Sequence, residues 1–261
     1  MQISRNLQLS LLILTLDLAW PILLALIVLA FGAGTVRGFA GFGDALIFLP
    51  LAGMLVAPIT SLFLFMLIAS PGPIPLVKEA VKTAPFRIYG TISALMLLFL
   101  PLGFWLLSMM EADYFRALTA SLALTLAILM FVGWKPNVPI TMISLVILGI
   151  LCGIIGGASG APGALIVFFF INAGLLAKDV RASTTIILFV FDAAILLMIV
   201  ITGKFEWSSL LIATFLLPAY IIGGWIGKKF FDPSKEKLFR NVALCAILVS
   251  GLVGMPYGLF L

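Results

Sequence analysis

The sequence contains no histidine, and its two cysteines, Cys152 and Cys245, both lie in apolar stretches. Two isolated thiols without an imidazole form neither a zinc site nor a disulfide framework. The chain also lacks the G-x-x-x-x-G-K-[ST] loop that binds nucleotides, and no serine-lysine or paired-aspartate arrangement is evident in it. We therefore expect no metal, no cofactor and no enzymatic activity.

Charged residues are scarce as well, because they make up 10% of the 261 residues, against 64% that are hydrophobic. A soluble globule of ordinary composition cannot bury so much apolar surface. Apolar runs of about 20 residues, the length that crosses a hydrocarbon core, recur along the chain, and the alternation typical of a membrane barrel is missing. The N-terminus lacks the cleavage site of a removable signal peptide. The composition predicts an all-α polytopic membrane protein without a soluble domain.

The net charge of +5 comes from basic residues in short loops between the apolar runs. Basic residues in such loops set the orientation of membrane helices and contact anionic lipid headgroups. We therefore expect membrane lipid as a partner and no nucleic acid, and the sequence is compatible with a homo-oligomer.

Ten hydrophobic segments are predicted, and the second segment of each half is short. The first half contains segments 18–36, 44–57, 59–76, 88–109 and 115–133, and the second half contains 138–156, 163–175, 183–202, 208–227 and 241–258. An interfacial lead-in is expected before the first span, up to about residue 17. A proline cluster at Pro71, Pro73 and Pro75 is expected to form a hinge or an irregular helix end.

The two halves of the sequence are related by an internal repeat. Six matched pairs share one offset, the 119 residues from Gly34 to Gly153: Gly34, Gly38, Gly41, Ala45, Leu46 and Ile47 match Gly153, Gly157, Gly160, Ala164, Leu165 and Ile166. Further along, Phe115-Arg116 matches Phe239-Arg240. The predicted repeats cover 1–136 and 137–261. Because each contains five segments, an odd number, the second copy must enter the membrane from the opposite side, and the repeats are inverted.

The distribution of basic residues agrees with an inverted pair. With both termini outside, twelve of the fifteen basic residues fall in cytoplasmic loops, and Arg5, Arg116 and Lys204 are the three on the outer side. An excess of lysine and arginine on the cytoplasmic side is the usual bias of membrane proteins. The sequence predicts a multi-pass protein of the cell inner membrane with both termini outside.

Glycine-rich breaks at 37–47 and 153–166, predicted near the midplane, interrupt the apolar sequence. Backbone groups freed from a helix inside a bilayer are costly unless they face protein or a water-filled cavity. The glycines either let helices approach closely or form a binding site. A site is favoured because a short helix follows each break and directs its N-terminus at an anion. The predicted substrate-binding residues are Arg37, Gly41, Phe42, Gly43, Asp44, Ser159, Gly160, Ala161, Pro162 and Gly163.

Arg37, Asp44 and Asp192 are ionisable residues in or beside apolar sequence, and each is a functional candidate for that reason. Arg37 either pairs bidentately with an oxyanion or sets the orientation of the chain. Asp44 either caps the second helix, pairs with Arg37 or carries a proton. Asp192 has no basic neighbour in its own segment and is the other proton-coupling candidate. Ser159 is expected to cap a helix or bind the ligand, and Pro162 to begin a helix.

These stretches also resemble a known family. Residues 38–46, Gly-Phe-Ala-Gly-Phe-Gly-Asp-Ala-Leu, and residues 153–163, followed by Ala-Leu-Ile, resemble the duplicated glycine-rich signature of the TauE/SafE family of sulfite and organosulfonate exporter-like transporters. The resemblance implies a secondary carrier of small sulfur-containing anions such as sulfite, sulfoacetate, other sulfonates or thiosulfate, in either direction. The sequence departs from the commoner glycine triplet of the family at Gly43-Asp44 and at Ala161-Pro162-Gly163. A carboxylate at Asp44 would repel an anion unless it is protonated or paired.

The sequence therefore predicts an alternating-access carrier, with a proton as the candidate coupling ion, in which the two breaks bind the anion and the repeats rock around it. Two alternatives remain open at this point. One is a non-transporting membrane assembly or receptor subunit that uses the repeat as a scaffold, and the other is an anion channel.

Overall fold

The computed structural model describes residues 2–71, 74–134, 136, 138–204, 207–230 and 236–259. These residues form eleven α-helices and one short 3-10 turn, with no strand among them. The helices are α1 (Gln2–Ala40), α2 (Asp44–Ala52), α3 (Pro58–Ala69), α4 (Ile74–Thr83), α5 (Phe86–Met109), α6 (Ala112–Val132), α7 (Met142–Ser159), α8 (Pro162–Asn172), α9 (Ala177–Ile201), α10 (Trp207–Phe230) and α11 (Glu236–Gly254). Six helices, α1, α5, α6, α7, α9 and α10, contain stretches long and apolar enough to cross a membrane. The predicted all-α polytopic architecture is confirmed.

The helix boundaries correct the predicted segments in one place. The third predicted segment, 59–76, is divided into α3 and α4, because helix α3 ends before Pro71, where a proline ring cannot continue the hydrogen bonding. Residues 72 and 73, including one proline of the predicted hinge, lie outside the described residues. The expected lead-in also belongs to the same helix as the first span, because α1 is continuous from Gln2. The candidate span within it begins at Trp20, close to the predicted start at residue 18.

Helix α1 also continues through Gly34 and through Gly38, the first glycine of the predicted break. A Cβ atom placed on Gly34 would lie 2.2 Å from the backbone oxygen of Tyr220, and one on Gly38 would lie 2.2 Å from that of Gly224. Both contacts are to α10, so these glycines allow two helix backbones to touch. Close packing, the simpler of the two interpretations of the glycines, is therefore correct for this part of the stretch.

The same kind of contact joins α5 and α7. A Cβ atom on Gly153 would lie 2.8 Å from the backbone oxygen of Met96, and one on Gly157 would lie 2.9 Å from that of Leu100. In both helix pairs the contacting residue numbers rise together, so the paired helices run in the same direction. If α7 is the counterpart of α1 and α10 the counterpart of α5, the two pairs are equivalent. The predicted repeat requires this arrangement, and the repeat itself remains a prediction.

The α1–α10 contact gives a prediction with a matched control two residues away. We expect Gly34→Ala to lower the free energy of unfolding by about 1–3 kcal/mol or more, because the added methyl group would overlap a backbone carbonyl. We expect Gly32→Ala to be neutral or stabilising by up to about 1 kcal/mol, since nothing lies within 4 Å of that position and alanine favours helix. Thermal unfolding of the two variants in detergent measures the difference. Equal stability of the two variants would show that the backbones are not in contact.

Candidate functional site

Each of the two breaks is a short turn built on glycines with left-handed backbone conformations. Between α1 and α2, Gly41 has φ +80° and Gly43 has φ +93°, and between α7 and α8, Gly160 has φ +74°. A residue with a Cβ atom adopts this conformation at a cost of roughly 1–2 kcal/mol. Glycine therefore permits both chain reversals, and the breaks are shorter than the glycine-rich sequence around them.

The two short helices that follow the breaks begin without a side-chain cap. Helix α2 begins at Asp44 after Gly43, helix α8 begins at Pro162 after Ala161, and no side chain of the described residues accepts a hydrogen bond from the first turn of either. The N–H groups of a first helical turn have no partner within the helix. Proline suits the first position because it lacks an N–H group. Both helix starts thus retain their capacity to bind a negative group.

The starts of α2 and α8 meet at one cavity of about 40 Å³, which we call the central cavity. It brings together residues predicted from both halves of the sequence. Nine of the ten predicted substrate-binding residues line it, and Asp192 lines it too: Arg37, Gly41, Phe42, Gly43, Asp44, Gly160, Ala161, Pro162, Gly163 and Asp192. Residues about 120 positions apart in the chain line this one cavity, so the two breaks are parts of the same structural feature.

Ser159, the tenth predicted residue, does not line the central cavity. Its side chain is fully buried, and its Oγ accepts a hydrogen bond from the backbone N–H of Ala161, with an N···O distance of 3.3 Å. This bond satisfies a donor inside the second break. This bond holds the backbone of the break and is not the expected cap on the first turn of α8.

Asp44 is paired within the protein. Its Oδ2 atom lies 2.7 Å from Nη1 of Arg37 and accepts a second hydrogen bond, of 2.5 Å, from the hydroxyl of Tyr220. The carboxylate is 5% exposed, and the Arg37 side chain is 27% exposed. Of the structural roles considered for Asp44, pairing with Arg37 is the one observed, and the charge that would repel an anion is balanced. Sequence reasoning did not identify Tyr220.

Asp192 lies in a different electrostatic environment. It is 7% exposed, and among the described residues no lysine or arginine forms an ion pair with it. The Ser70 hydroxyl is close enough to interact with its carboxylate, and the charges of Arg37 and Asp44 act on it from across the central cavity. Within the described ranges, no group of three or more carboxylate or thiol side chains is placed to hold a metal ion. Asp192 is therefore the carboxylate of the cavity without a dedicated cation.

Thr184, on α9, is a cavity residue that sequence reasoning missed. It lines the central cavity, it is 9% exposed, and its Oγ1 atom has no hydrogen-bond partner within the described protein. A buried hydroxyl without a partner costs roughly 1–3 kcal/mol. Its only signal in the sequence was its match to Thr60 in the repeat, which does not indicate a ligand.

The central cavity lies at the ends of the helices next to the breaks and beside the middle parts of α9 and α10. Tyr220, whose hydroxyl reaches Asp44, is thirteen residues from the first residue of α10 and ten from the last. At 1.5 Å per residue, these distances are about 20 Å and 15 Å. Asp192 is fifteen residues from the start of α9 and nine from its end. The depth of the breaks in the membrane remains a prediction from the sequence.

Comparison with known proteins adds one match. The family model described as sulfite exporter TauE/SafE matches residues 26–254, most of the chain, including both breaks and every residue that lines the central cavity. No curated protein and no solved structure matches the chain. The family comprises membrane transporters of the sulfite-exporter type rather than enzymes. The chain belongs to the TauE/SafE sulfite exporter family and is a multi-pass membrane transporter of that type.

Proposed function

We propose that this protein is a secondary carrier that binds sulfite in the central cavity and moves it by alternating access. The observation that carries the proposal is the convergence of both helix starts and Arg37 on one cavity, in a chain whose family is described as sulfite exporters. The cavity lies beside the middle parts of α9 and α10, and the groups that converge there favour negative charge.

The strength of binding can be judged from the groups present. Each uncapped helix start contributes about 1 kcal/mol toward an anion, and a charge-assisted hydrogen bond from the free donors of Arg37 contributes about 2 kcal/mol. The Thr184 hydroxyl adds about 1 kcal/mol. The total of about 5 kcal/mol is an upper limit for the binding free energy, because the freedom lost on association opposes it, and the Kd is expected at about 0.2 mM or weaker. An affinity of this size suits a carrier, which must also release its substrate.

The size of the central cavity favours a small anion. Its volume of about 40 Å³ is roughly three times the 10–15 Å³ that one water requires on the same measure. A compact trioxyanion such as sulfite needs the least additional space. Thiosulfate, sulfoacetate and longer organosulfonates belong to the same chemical class, and they require the cavity to widen. We therefore place sulfite first among the candidate substrates.

Charge balance gives Asp192 a role in proton coupling. With Arg37 charged and both carboxylates ionised, the three groups of the cavity sum to one negative charge, which opposes an anion. A proton on Asp192 removes that excess, whereas Asp44 is already held by Arg37 and Tyr220. Binding of the anion and of the proton therefore favour each other, because coupling between two sites is reciprocal. Of the two candidates from the sequence, we assign the proton to Asp192.

Alternating access follows from the way in which the repeats share the cavity. Each repeat, 1–136 and 137–261, supplies one break. The first repeat contains α1 and α5 and the second contains α7 and α10, so the α1–α10 and α5–α7 pairs each join the two repeats. Rocking of one repeat against the other would open the cavity first to one side and then to the other. The parallel directions of the paired helices agree with the predicted order of the segments and are the same whichever side of the membrane the termini lie on, so the orientation of the termini remains a prediction. Location in the inner membrane remains a prediction from the sequence.

Thr184→Val tests whether the central cavity is the anion site. Valine replaces an unpartnered hydroxyl by a methyl group of similar size, so we expect folding to be retained or improved by about 1 kcal/mol. We expect sulfite binding, measured by calorimetry in detergent, to weaken about fivefold through loss of the roughly 1 kcal/mol that the hydroxyl contributes. Ser93→Ala is the matched control, because the Ser93 hydroxyl is also buried without a partner but does not line the cavity. Unchanged binding in Thr184→Val, or equal losses in both variants, would contradict the site.

A further inference from the structure

A second and larger cavity, which we call the lateral cavity, lies apart from the anion site. It has a volume of about 330 Å³ and is formed by the C-terminal ends of α6 and α8 and the first residues of α11, with Trp134, Phe168, Asn172 and Arg240 among its lining residues. It shares no lining residue with the central cavity. In the predicted topology, these three helix ends lie together at the cytoplasmic face of the membrane.

Asn172, which lines this cavity, carries a buried acceptor without a partner. The Nδ2 atom of Asn172 donates a hydrogen bond of 2.7 Å to the backbone oxygen of Phe168. Because that carbonyl can only accept, the orientation of the amide is fixed. The Oδ1 atom of Asn172 is then left buried with no hydrogen-bond partner in the described protein. A ligand group that reached this oxygen from the lateral cavity would have to be a hydrogen-bond donor.

Arg240 supplies a cation to the same cavity. It is exposed, and no acidic side chain of the described residues forms an ion pair with it. The equivalent arginine of the first half, Arg116, is fully engaged: its Nε donates to the backbone oxygen of Gly254 at 3.2 Å, and its Nη1 pairs with Asp113 at 3.0 Å. The residue equivalent to Asp113 in the second half is a lysine, Lys237. The partner acid has thus been replaced by a second basic residue.

An aromatic surface completes the lateral cavity. The rings of Trp134 and Phe168 are stacked, with centroids 6.0 Å apart and planes at 19°. Trp134 remains 52% exposed. Tryptophan at the end of a membrane helix is typical of the headgroup level, where one side of the ring is apolar and the other is wet. The surface is suited to the glycerol and upper acyl region of a lipid.

We propose that the lateral cavity binds the headgroup of a phospholipid that carries a hydrogen-bond donor beside its phosphate. The phosphate pairs with Arg240, an ammonium or hydroxyl group of the headgroup donates to Oδ1 of Asn172, and the glycerol region packs on Trp134 and Phe168. Phosphatidylethanolamine and phosphatidylglycerol have this chemistry, whereas phosphatidylcholine has the phosphate without the donor. The bound lipid would connect α6 of the first repeat to α8 and α11 of the second.

Lipid titrations of the purified protein in detergent test the proposal, with binding followed by native mass spectrometry and by thermal unfolding. We expect phosphatidylethanolamine and phosphatidylglycerol to bind and to raise the Tm, and phosphatidylcholine to bind about tenfold more weakly. We expect Arg240→Gln to weaken the first two about tenfold, and Asn172→Leu to reduce their preference over phosphatidylcholine. Arg116→Gln is the control, since its arginine is already satisfied, and it should leave the lipid response unchanged. Equal responses to all three lipids, or equal losses in Arg240→Gln and Arg116→Gln, would overturn the proposal.

The same titration with soluble compounds distinguishes a lipid from a free phosphate ester. We expect glycerophosphoethanolamine and inorganic phosphate to bind far more weakly than the intact lipid, because they lack the region that packs on Trp134 and Phe168. If glycerophosphoethanolamine binds as tightly as phosphatidylethanolamine, the ligand is a soluble phosphate ester and the assignment to lipid is wrong. Thr184→Val leaves the lateral cavity intact, so its lipid response should match that of the unmodified protein whether or not the central cavity binds sulfite.

Discussion

Replacing Arg37 with glutamine is expected to destabilise the protein by about 3 kcal/mol and to abolish sulfite binding. The stability loss arises because the buried carboxylate of Asp44 would keep one hydrogen bond, from Tyr220, and lose its cation. Breaking a buried ion pair from one side costs about 3–5 kcal/mol, and we expect the lower end because Arg37 is 27% exposed. The binding loss arises because Arg37 is the one cation that lines the central cavity among the described residues.

The double variant Arg37→Gln/Asp44→Asn separates these two effects. With both charges removed, the amides and the Tyr220 hydroxyl can hydrogen bond to one another, so most of the stability should return. Sulfite binding should stay absent, because the guanidinium is still missing. Unfolding in detergent and calorimetry with sulfite measure the two properties on the same samples. If the double variant binds sulfite as the unmodified protein does, Arg37 has a structural role or sets orientation, and the anion is held elsewhere.

Replacing Asp192 with asparagine is expected to uncouple the carrier from the proton gradient while leaving the anion site intact. Asparagine has nearly the same shape as a protonated aspartate and cannot release a proton. One unit of pH difference corresponds to 1.36 kcal/mol per proton, which can drive about tenfold accumulation when one proton accompanies each anion. In proteoliposomes without a membrane potential, we expect the unmodified protein to show this accumulation and Asp192→Asn to show exchange of sulfite without accumulation.

Asp113→Asn is the matched control for this measurement. Asp113 is an exposed carboxylate that pairs with Arg116 away from the central cavity, so its loss should leave accumulation unchanged. Accumulation by Asp192→Asn at the level of the unmodified protein would show that another group carries the proton. Asp44 would then be the next candidate, and the argument from its pairing with Arg37 would be wrong.

Much of the site could be predicted from the sequence, because the backbone conformation of the breaks depends on residues that are close together in the chain. Positive φ angles at Gly43 and Gly160, and a helix start within two residues of each, follow from glycine and from proline placement within a few residues. The pairing of Arg37 with Asp44 spans seven positions and was one of the alternatives considered. These features depend on neighbours in the chain, and a sequence shows neighbours directly.

The remaining features depend on contacts between distant segments. Tyr220 reaches Asp44 across 176 positions, and no pattern in its own helix distinguishes it from a tyrosine that faces lipid. Gly34 and Gly41 look alike in sequence, yet the first touches another backbone and the second has nothing within 4 Å. The division of the third segment into α3 and α4 was suggested by its prolines, but sequence alone allowed a hinge as well as a helix end. Contacts between segments that are distant in the chain decide such cases, and a sequence does not show those contacts directly.

The central claim is that the anion binds between the N-termini of α2 and α8, and selenite locates it directly. Selenite is a heavier analogue of sulfite, and selenium gives an anomalous signal in X-ray diffraction that marks its position without interpretation of the surrounding density. We predict one anomalous peak in the central cavity, within hydrogen-bonding distance of Arg37 and Thr184 and beside Gly43 and Gly163, and its loss when sulfite is added in excess. A peak elsewhere in the protein that sulfite displaces, with none in the cavity, would contradict the account.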